Sequence, residues 1–138
     1  MASVPAGTTD VDPSLVSYTH LIYALHAASV VIGLLGAPTV VGSFLLGIPS
    51  IIAVIMNYAR RSDVRGTRLE SHFRWQIRTF WFTALWVLLI SIWSIVLMPL
   101  LGLGILFFFV AFGALALWLI YRVARGWIRL RDGLRMYV

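Results

Sequence analysis

Two long stretches of the chain contain no charged side chain. Pro13–Ala59, 47 residues, and Thr79–Tyr121, 43 residues, lack Asp, Glu, Lys and Arg altogether. A chain of 138 residues has too little interior to bury both stretches on every face. Each stretch is about twice the ~20 apolar residues that cross a ~30 Å hydrocarbon core once as a helix. The sequence therefore predicts an all-α integral membrane protein with four transmembrane helices in two hairpins, plus short amphipathic segments at the interface.

Glycine and proline divide each uncharged stretch near its middle. Gly36 and Pro38 interrupt the first stretch, and Pro99 and Gly102 interrupt the second. Pro49 lies inside the second helix and is expected to kink it. We expect helices near 15–35, 39–58, 76–98 and 105–125, a polar arm over 1–14, a loop over 59–75 and an amphipathic tail over 126–138.

All 11 basic residues are arginines, and they cluster at the ends of the hairpins that lie away from the turns. By the positive-inside rule, the loop over 59–75 and the C-terminus face the cytoplasm, and an even number of crossings places the N-terminus there as well. Arginines in such places contact anionic lipids rather than nucleic acid. The predicted headgroup contacts are Arg60, Arg61, Arg74, Arg78, Arg122, Arg125, Arg129, Arg131 and Arg135.

The loop contains the start of a helix. Thr67 and Glu70 have the spacing of a capping box, in which Thr67 accepts from the third helical amide and Glu70 reaches back to the cap. Glu70 and Arg74 are four residues apart and can form an ion pair. We expect a helix that begins here along the interface before it turns into the membrane.

The tail has apolar residues at helical spacing among its arginines. Trp127, Leu130, Leu134 and Tyr137 follow i, i+3, i+7 and i+10. This pattern is typical of a helix lying on an anionic leaflet. A solvated continuation of the fourth helix explains it equally well.

The uncharged stretches offer little for catalysis. They contain no carboxylate, and the chain has no cysteine, so carboxylate metal sites and thiolate chemistry lack their ligands. His20 and His26 lie six residues apart, about 120° around one helix, and do not readily share one metal or haem. His26 can form an interhelical hydrogen bond, serve a proton or ligand, or bind a metal or haem. We predict a non-enzyme without cofactor or metal.

A polar stripe runs along the third helix. His72, Gln76, Thr79 and Thr83 follow i, i+4, i+7 and i+11 and share one face. Polar groups in hydrocarbon seek partners on other helices, and Tyr23 and His26 on the first helix are the expected ones. These six residues are the candidate interhelical contacts. The alternative is that the stripe lines a hydrated groove.

The segments Pro49–Arg60 and Glu70–Ile77 carry a recognisable pattern. A proline-containing helix ends in basic residues, an acidic and histidine-containing loop follows, and the next helix opens with an aromatic residue and glutamine, here Trp75 and Gln76. In this pattern the chain resembles small bacterial membrane proteins that are distantly similar to the polytopic component of the chloroplast inner-envelope import translocon. Arg74 stands where that family usually has asparagine. The resemblance implies a four-helix fold in a bacterial inner membrane and no catalytic residue.

The sequence favours a non-catalytic accessory or assembly subunit of a larger inner-membrane complex. Its expected partners are other integral membrane subunits, with further copies of the chain possible. The alternative is an oligomeric channel or translocon-like component, whose path the stripe on the third helix would line. A membrane enzyme or haem protein, and a lipid-binding protein, rank lower.

Overall fold

The computed structural model describes the backbone of residues 11–36 and 40–136, and the side chains of 11–35 and 47–136. Residues 1–10 of the predicted polar arm over 1–14, the predicted break at Pro38, and Tyr137 lie outside this range. The described chain forms four helices, α1 (Pro13–Gly36), α2 (Val40–Ala59), α3 (Arg68–Leu97) and α4 (Leu103–Arg131). The prediction of an all-α fold is therefore confirmed for the described residues.

Three stretches are long and apolar enough to cross a membrane. They are Pro13–Leu35, Arg68–Leu97 and Leu103–Arg131, whereas Gly47–Ala59 of α2 is a shorter apolar helix. The chain is thus compatible with a membrane protein that has three candidate spans. The predicted fourth crossing, by α2, is not shown.

Helix α3 begins where Thr67 and Glu70 predict a helix start, and it continues without a break through the predicted third transmembrane helix. It starts at Arg68, so the predicted loop over 59–75 shortens to a series of turns over 60–67. Thr67 Oγ1 accepts from Leu69 N at 3.2 Å, and Glu70 Oε2 accepts from Gly66 N at 2.9 Å. The two side chains therefore cap the helix as a pair, but each bonds one residue earlier than in the expected capping box. Arg74 pairs with Glu70 at 3.1 Å.

Asp12 caps the start of α1, a role that the sequence analysis did not assign. Its Oδ1 accepts from Ser14 N at 2.8 Å, ahead of a proline at the first helical position. The hydrogen bond from the Ser14 backbone lowers the pKa of the Asp12 carboxyl, because it favours the charged form.

The C-terminal part differs from an amphipathic tail lying on a leaflet. Helix α4 runs on to Arg131, six residues beyond the predicted end, and the segment that follows turns back over the start of α3. Leu134 O accepts from His72 Nε2 at 2.8 Å, and Met136 N donates to Ser71 Oγ at 3.0 Å. Leu130 is buried at 2% exposure, so this part of the predicted apolar face packs on protein.

The core lies at one end of the molecule. Helices α1 and α2 pack together, as do α3 and α4, and α1 also lies against α4 and α3. The buried cluster includes Ile22, Tyr23, Leu69, Phe73 and Leu130. We call this part, where α2 ends, α3 begins and α4 ends, the arginine-rich end. The opposite portions of α3 and α4 expose most of their apolar side chains.

The two hairpins differ in reach. His26 of α1 and Thr79 of α3 line the same small cavity and are therefore level. Beyond that level α1 continues to Gly36, about 15 Å, whereas α3 continues to Leu97, about 27 Å, at 1.5 Å per residue. With parallel axes, the α3–α4 hairpin extends roughly 12 Å past the end of α1.

Gly126 sets how closely α1 and α4 approach. A Cβ at this position would lie 2.5 to 2.8 Å from the ring and hydroxyl of Tyr23. Tyr23 is 1% exposed, and its hydroxyl is bonded to His72. A side chain at position 126 is incompatible with this packing.

Candidate functional site

A chain of hydrogen bonds joins α1, α3 and the C-terminal segment. Tyr23 OH lies 3.0 Å from His72 Nδ1, and His72 Nε2 lies 2.8 Å from Leu134 O. A carbonyl oxygen only accepts, so Nε2 carries the hydrogen. In a neutral imidazole Nδ1 then accepts, and Tyr23 donates to it. The predicted pairing of the α3 stripe with Tyr23 thus occurs at His72.

A small cavity lies one turn further along the bundle. Its volume is about 10 Å³, which is the space that a single water molecule needs. The amide of Gln76 and Nε2 of His26 are buried and make no hydrogen bond within the described part of the chain. The cavity is lined by Tyr23, His26, Trp75, Gln76, Thr79, Arg122 and Val123. This site can hold one water between polar groups and has no room for a larger substrate.

Arg122 turns inward, unlike the headgroup arginines among which the sequence placed it. Its Nε donates to Thr79 Oγ1 at 2.8 Å, and its guanidinium lies 3.7 Å from the centre of the Trp75 ring. Trp75 Nε1 in turn donates to the Arg122 carbonyl at 3.2 Å. Arg122 is therefore half-buried between α3 and α4, where it makes a cation–π contact and a hydrogen bond.

Thr83 stays outside the cluster. Its hydroxyl donates at 2.7 Å to the carbonyl of Thr79, which lies on the same helix. Only His72, Gln76 and Thr79 of the predicted stripe therefore join the interior site with Tyr23 and His26.

The two histidines of α1 have different neighbours. His20 Nδ1 accepts from Trp127 Nε1 at 3.0 Å, and His26 Nδ1 lies 3.3 Å from Ser50 Oγ on α2. Each makes an interhelical contact, and the two rings do not converge on one point. No group of three or more His, Cys, Asp or Glu side chains among the described residues is placed to hold a metal ion.

Most of the other predicted headgroup arginines are exposed. Arg60 pairs with Asp63 at 3.7 Å and Arg131 with Asp132 at 3.4 Å, both at the surface. Half-buried Arg129 donates to the Arg135 carbonyl at 3.0 Å. Exposed arginines of the predicted set are Arg60, Arg61, Arg74, Arg78, Arg125, Arg131 and Arg135, of which Arg125 contacts the Tyr121 hydroxyl.

A second, much larger pocket opens on the surface of the arginine-rich end. It measures about 530 Å³ and lies between the turns before α3 and the first part of α3 itself. Its lining residues are Arg61, Val64, Arg65, Glu70, Phe73, Arg74, Ile77 and Arg78. We call it the basic pocket. The sequence analysis proposed three of these arginines as headgroup contacts but omitted Arg65, although Arg61 and Arg65 are also four residues apart.

Asn57 is a buried polar residue that the sequence analysis missed. Its side chain is 0% exposed, and neither amide atom forms a hydrogen bond within the described part of the chain. The available signal was a lone amide in an otherwise apolar segment, Gly47–Ala59. Such a group is expected to have a polar partner.

Comparison with known proteins adds no relative. No family model matches the chain, and no match was found among curated proteins or solved structures.

Proposed function

We propose that the arginine-rich end lies at the cytoplasmic face of a bacterial inner membrane and that the α3–α4 hairpin crosses the bilayer from that side. The α1–α2 hairpin, whose helix α1 reaches only about 15 Å beyond the level of Thr79, enters the bilayer from the same side without crossing it. The uncharged parts of α3 and α4, residues 79–97 and 103–121, are each about 28 Å long, which fits one ~30 Å hydrocarbon core. Arg78 and Arg122 mark the edge of that core. The arginine clusters support the cytoplasmic assignment through the positive-inside rule.

The cysteine-free chain allows a direct test of this placement. Leu101→Cys probes the α3–α4 turn, where Leu101 is fully exposed, and Leu35→Cys probes the end of α1, where Leu35 is 80% exposed. In intact cells a membrane-impermeant maleimide should label Leu101→Cys but not Leu35→Cys, and Arg131→Cys should react only after permeabilisation. Labelling of both Leu101→Cys and Leu35→Cys in intact cells would show instead that the α1–α2 hairpin also crosses, which gives the four crossings that the sequence predicts.

We further propose that the chain is a non-catalytic accessory subunit that binds other integral membrane subunits. The observation that carries this proposal is the outward face of α4, formed by Val110, Gly113, Ala114 and Leu117. All four residues are exposed, and a Cβ on Gly113 would meet nothing within 4 Å. The backbone of α4 is therefore open to close approach at its middle.

Small residues matter more at such a face in lipid than in water. Lipid tails are as apolar as leucine, so helices associate through close packing and interhelical hydrogen bonds. The polar groups of the interior site already face one another within the chain. The open backbone around Gly113 is then the best place for a partner helix.

Gly113→Leu is the variant that tests the partner, with Ala84→Leu as its control. Both replace a small exposed residue by leucine, on α4 and α3 respectively. After mild-detergent extraction, mass spectrometry should find a partner in fixed ratio with the wild type and Ala84→Leu. Gly113→Leu should lose it. A lone monomer from the wild type would contradict the proposal, and equal retention by both variants would move the contact away from α4.

The oligomeric channel has less support from the geometry. It requires the α3 stripe to line a path, but His72, Gln76 and Thr79 are buried, and His72 bonds to Tyr23 of the same chain. The cavity beside them is about 10 Å³, the size of one water. Flux through reconstituted vesicles that Gln76→Leu abolishes would revive this alternative.

A further inference from the structure

The basic pocket has two arginine walls. Arg61 and Arg65 come from the turns before α3, and Arg74 and Arg78 come from successive turns of α3, where neighbours four residues apart lie about 6 Å from each other. Guanidinium groups present forked donors that fit phosphate oxygens. At about 530 Å³ the pocket is within the size range of sites for small ligands.

The charges of the pocket are not balanced by the protein. Four arginines face one carboxylate, Glu70, which leaves the lining with a formal charge of +3. Glu70 already accepts from Gly66 N and from Arg74. Arg61, Arg65 and Arg78 form no salt bridge with any residue in the described ranges. Like charges held this close favour an anion with more than one negative charge.

Apolar surface continues from the pocket along the membrane. Half-buried Ile77 lies among the arginines, and the buried Val64 and Phe73 form the floor beneath it. One turn beyond Ile77 is Trp81, which is 57% exposed and donates to the hydroxyl of Tyr58 on α2 at 3.1 Å. Aromatic residues with such polar contacts mark the headgroup level of a bilayer. A ligand here therefore meets charge at one end and apolar side chains at the other.

The geometry points to a specific site for an anionic phospholipid whose headgroup carries two phosphates, one held by the loop arginines and one by the α3 arginines. The acyl chains lie along the apolar surface beside Trp81. This inference depends on the proposed membrane placement and not on the partner subunit. It extends the predicted contact with anionic lipids to one enclosed site and adds Arg65 to it.

Native mass spectrometry of the detergent-purified full chain tests the site. Diphosphatidylglycerol should bind one to one and at least tenfold more tightly than phosphatidylglycerol, with phosphatidylcholine weaker still. Arg61→Gln with Arg78→Gln should weaken this binding at least tenfold. These two arginines are exposed and form no salt bridge in the described chain, so their loss leaves the fold intact, and Arg74, which holds Glu70, is spared.

The control removes the same charge elsewhere. Arg125→Gln with Arg131→Gln, on the exposed end of α4, should change binding less than threefold. Equal loss in both double variants, or full retention by the Arg61/Arg78 variant, would overturn the site. Sodium pyrophosphate alone should bind at least tenfold more weakly than the lipid. Tight binding of pyrophosphate would overturn the lipid assignment in favour of a soluble phosphate ligand.

Discussion

The most apolar stretch of α4 has a higher mean hydropathy than that of α1, yet α1 is much the more buried. Within the most apolar stretch of each, 39% of α1 is buried inside the chain and only 6% of α4. A water-soluble domain shows the reverse order, because the hydrophobic effect drives the most apolar helix inward. In lipid that drive between helices vanishes, and polar side chains are the groups that need protein neighbours.

The side chains of α1 show which groups these are. Thr19, Tyr23, His26 and Ser29 are buried along the helix, three to four residues apart. The comparison teaches that in this chain burial follows polarity and helix contact rather than hydropathy. The variants below test whether substitutions at the arginine-rich end lower the free energy of unfolding more than substitutions in the outer part of the α3–α4 hairpin do.

The largest difference is expected from truncating one isoleucine in each region. Ile22 is 0% exposed, whereas Ile95 is 73% exposed. Ile22→Ala should lower the free energy of unfolding by about 2–5 kcal/mol, because it leaves a cavity. Ile95→Ala should change it by less than about 0.5 kcal/mol. Denaturant titration in mixed micelles measures both, and equal losses would break the comparison.

Alanine at two glycines of α4 gives the next largest contrast. Gly126→Ala forces a Cβ against the buried Tyr23 ring and should cost about 1–3 kcal/mol of unfolding free energy. In Gly113→Ala the new Cβ meets open space, and the variant should gain up to about 1 kcal/mol of unfolding free energy, since alanine restricts the backbone of the unfolded chain. Thermal melting followed by circular dichroism reports both. A Gly126→Ala protein as stable as wild type would mean that α1 and α4 are not in this register.

Removing a tyrosine hydroxyl should have the smallest effect of the three. It should still cost more unfolding free energy in the interior than at the surface. Tyr23→Phe leaves His72 Nδ1 without its donor and should cost about 1 kcal/mol of unfolding free energy. Tyr58→Phe removes the surface contact with Trp81 and should cost less than about 0.5 kcal/mol. A double-mutant cycle of Tyr23→Phe with His72→Leu should show coupling between the two residues. Additive losses of unfolding free energy would mean that this hydrogen bond does not stabilise the fold.

Local patterns were enough to predict part of this structure. The length of the two uncharged stretches predicted the all-helical class, and Thr67 and Glu70 predicted the start of α3. The spacing of His72, Gln76 and Thr79 indicated one face because three and four residues are nearly a full helical turn. These features depend on neighbours along the chain, which the sequence displays directly.

The remaining features depend on how distant segments meet. Arg122 and Arg125 are alike in sequence, and only the position of Thr79 and Trp75 on α3 selects Arg122 for the interior. The close approach of α1 to α4 depends on one glycine, Gly126, against one tyrosine, Tyr23. The fold-back after α4 uses the carbonyl of Leu134, a group that every residue carries. Nothing local distinguishes these choices.

The fold-back of residues 132–136 has a consequence for the order in which the protein is made. Arg68, Ser71 and His72 bond to Gly133, Met136 and Leu134, partners that lie 62 to 65 positions later in the chain. Synthesis proceeds from the N-terminus, so α3 leaves the ribosome long before these partners exist. The first turns of α3 therefore lack these partners until α4 and the chain as far as Met136 have been made. A chaperone or assembly factor that acts on this protein has that interval in which to reach it.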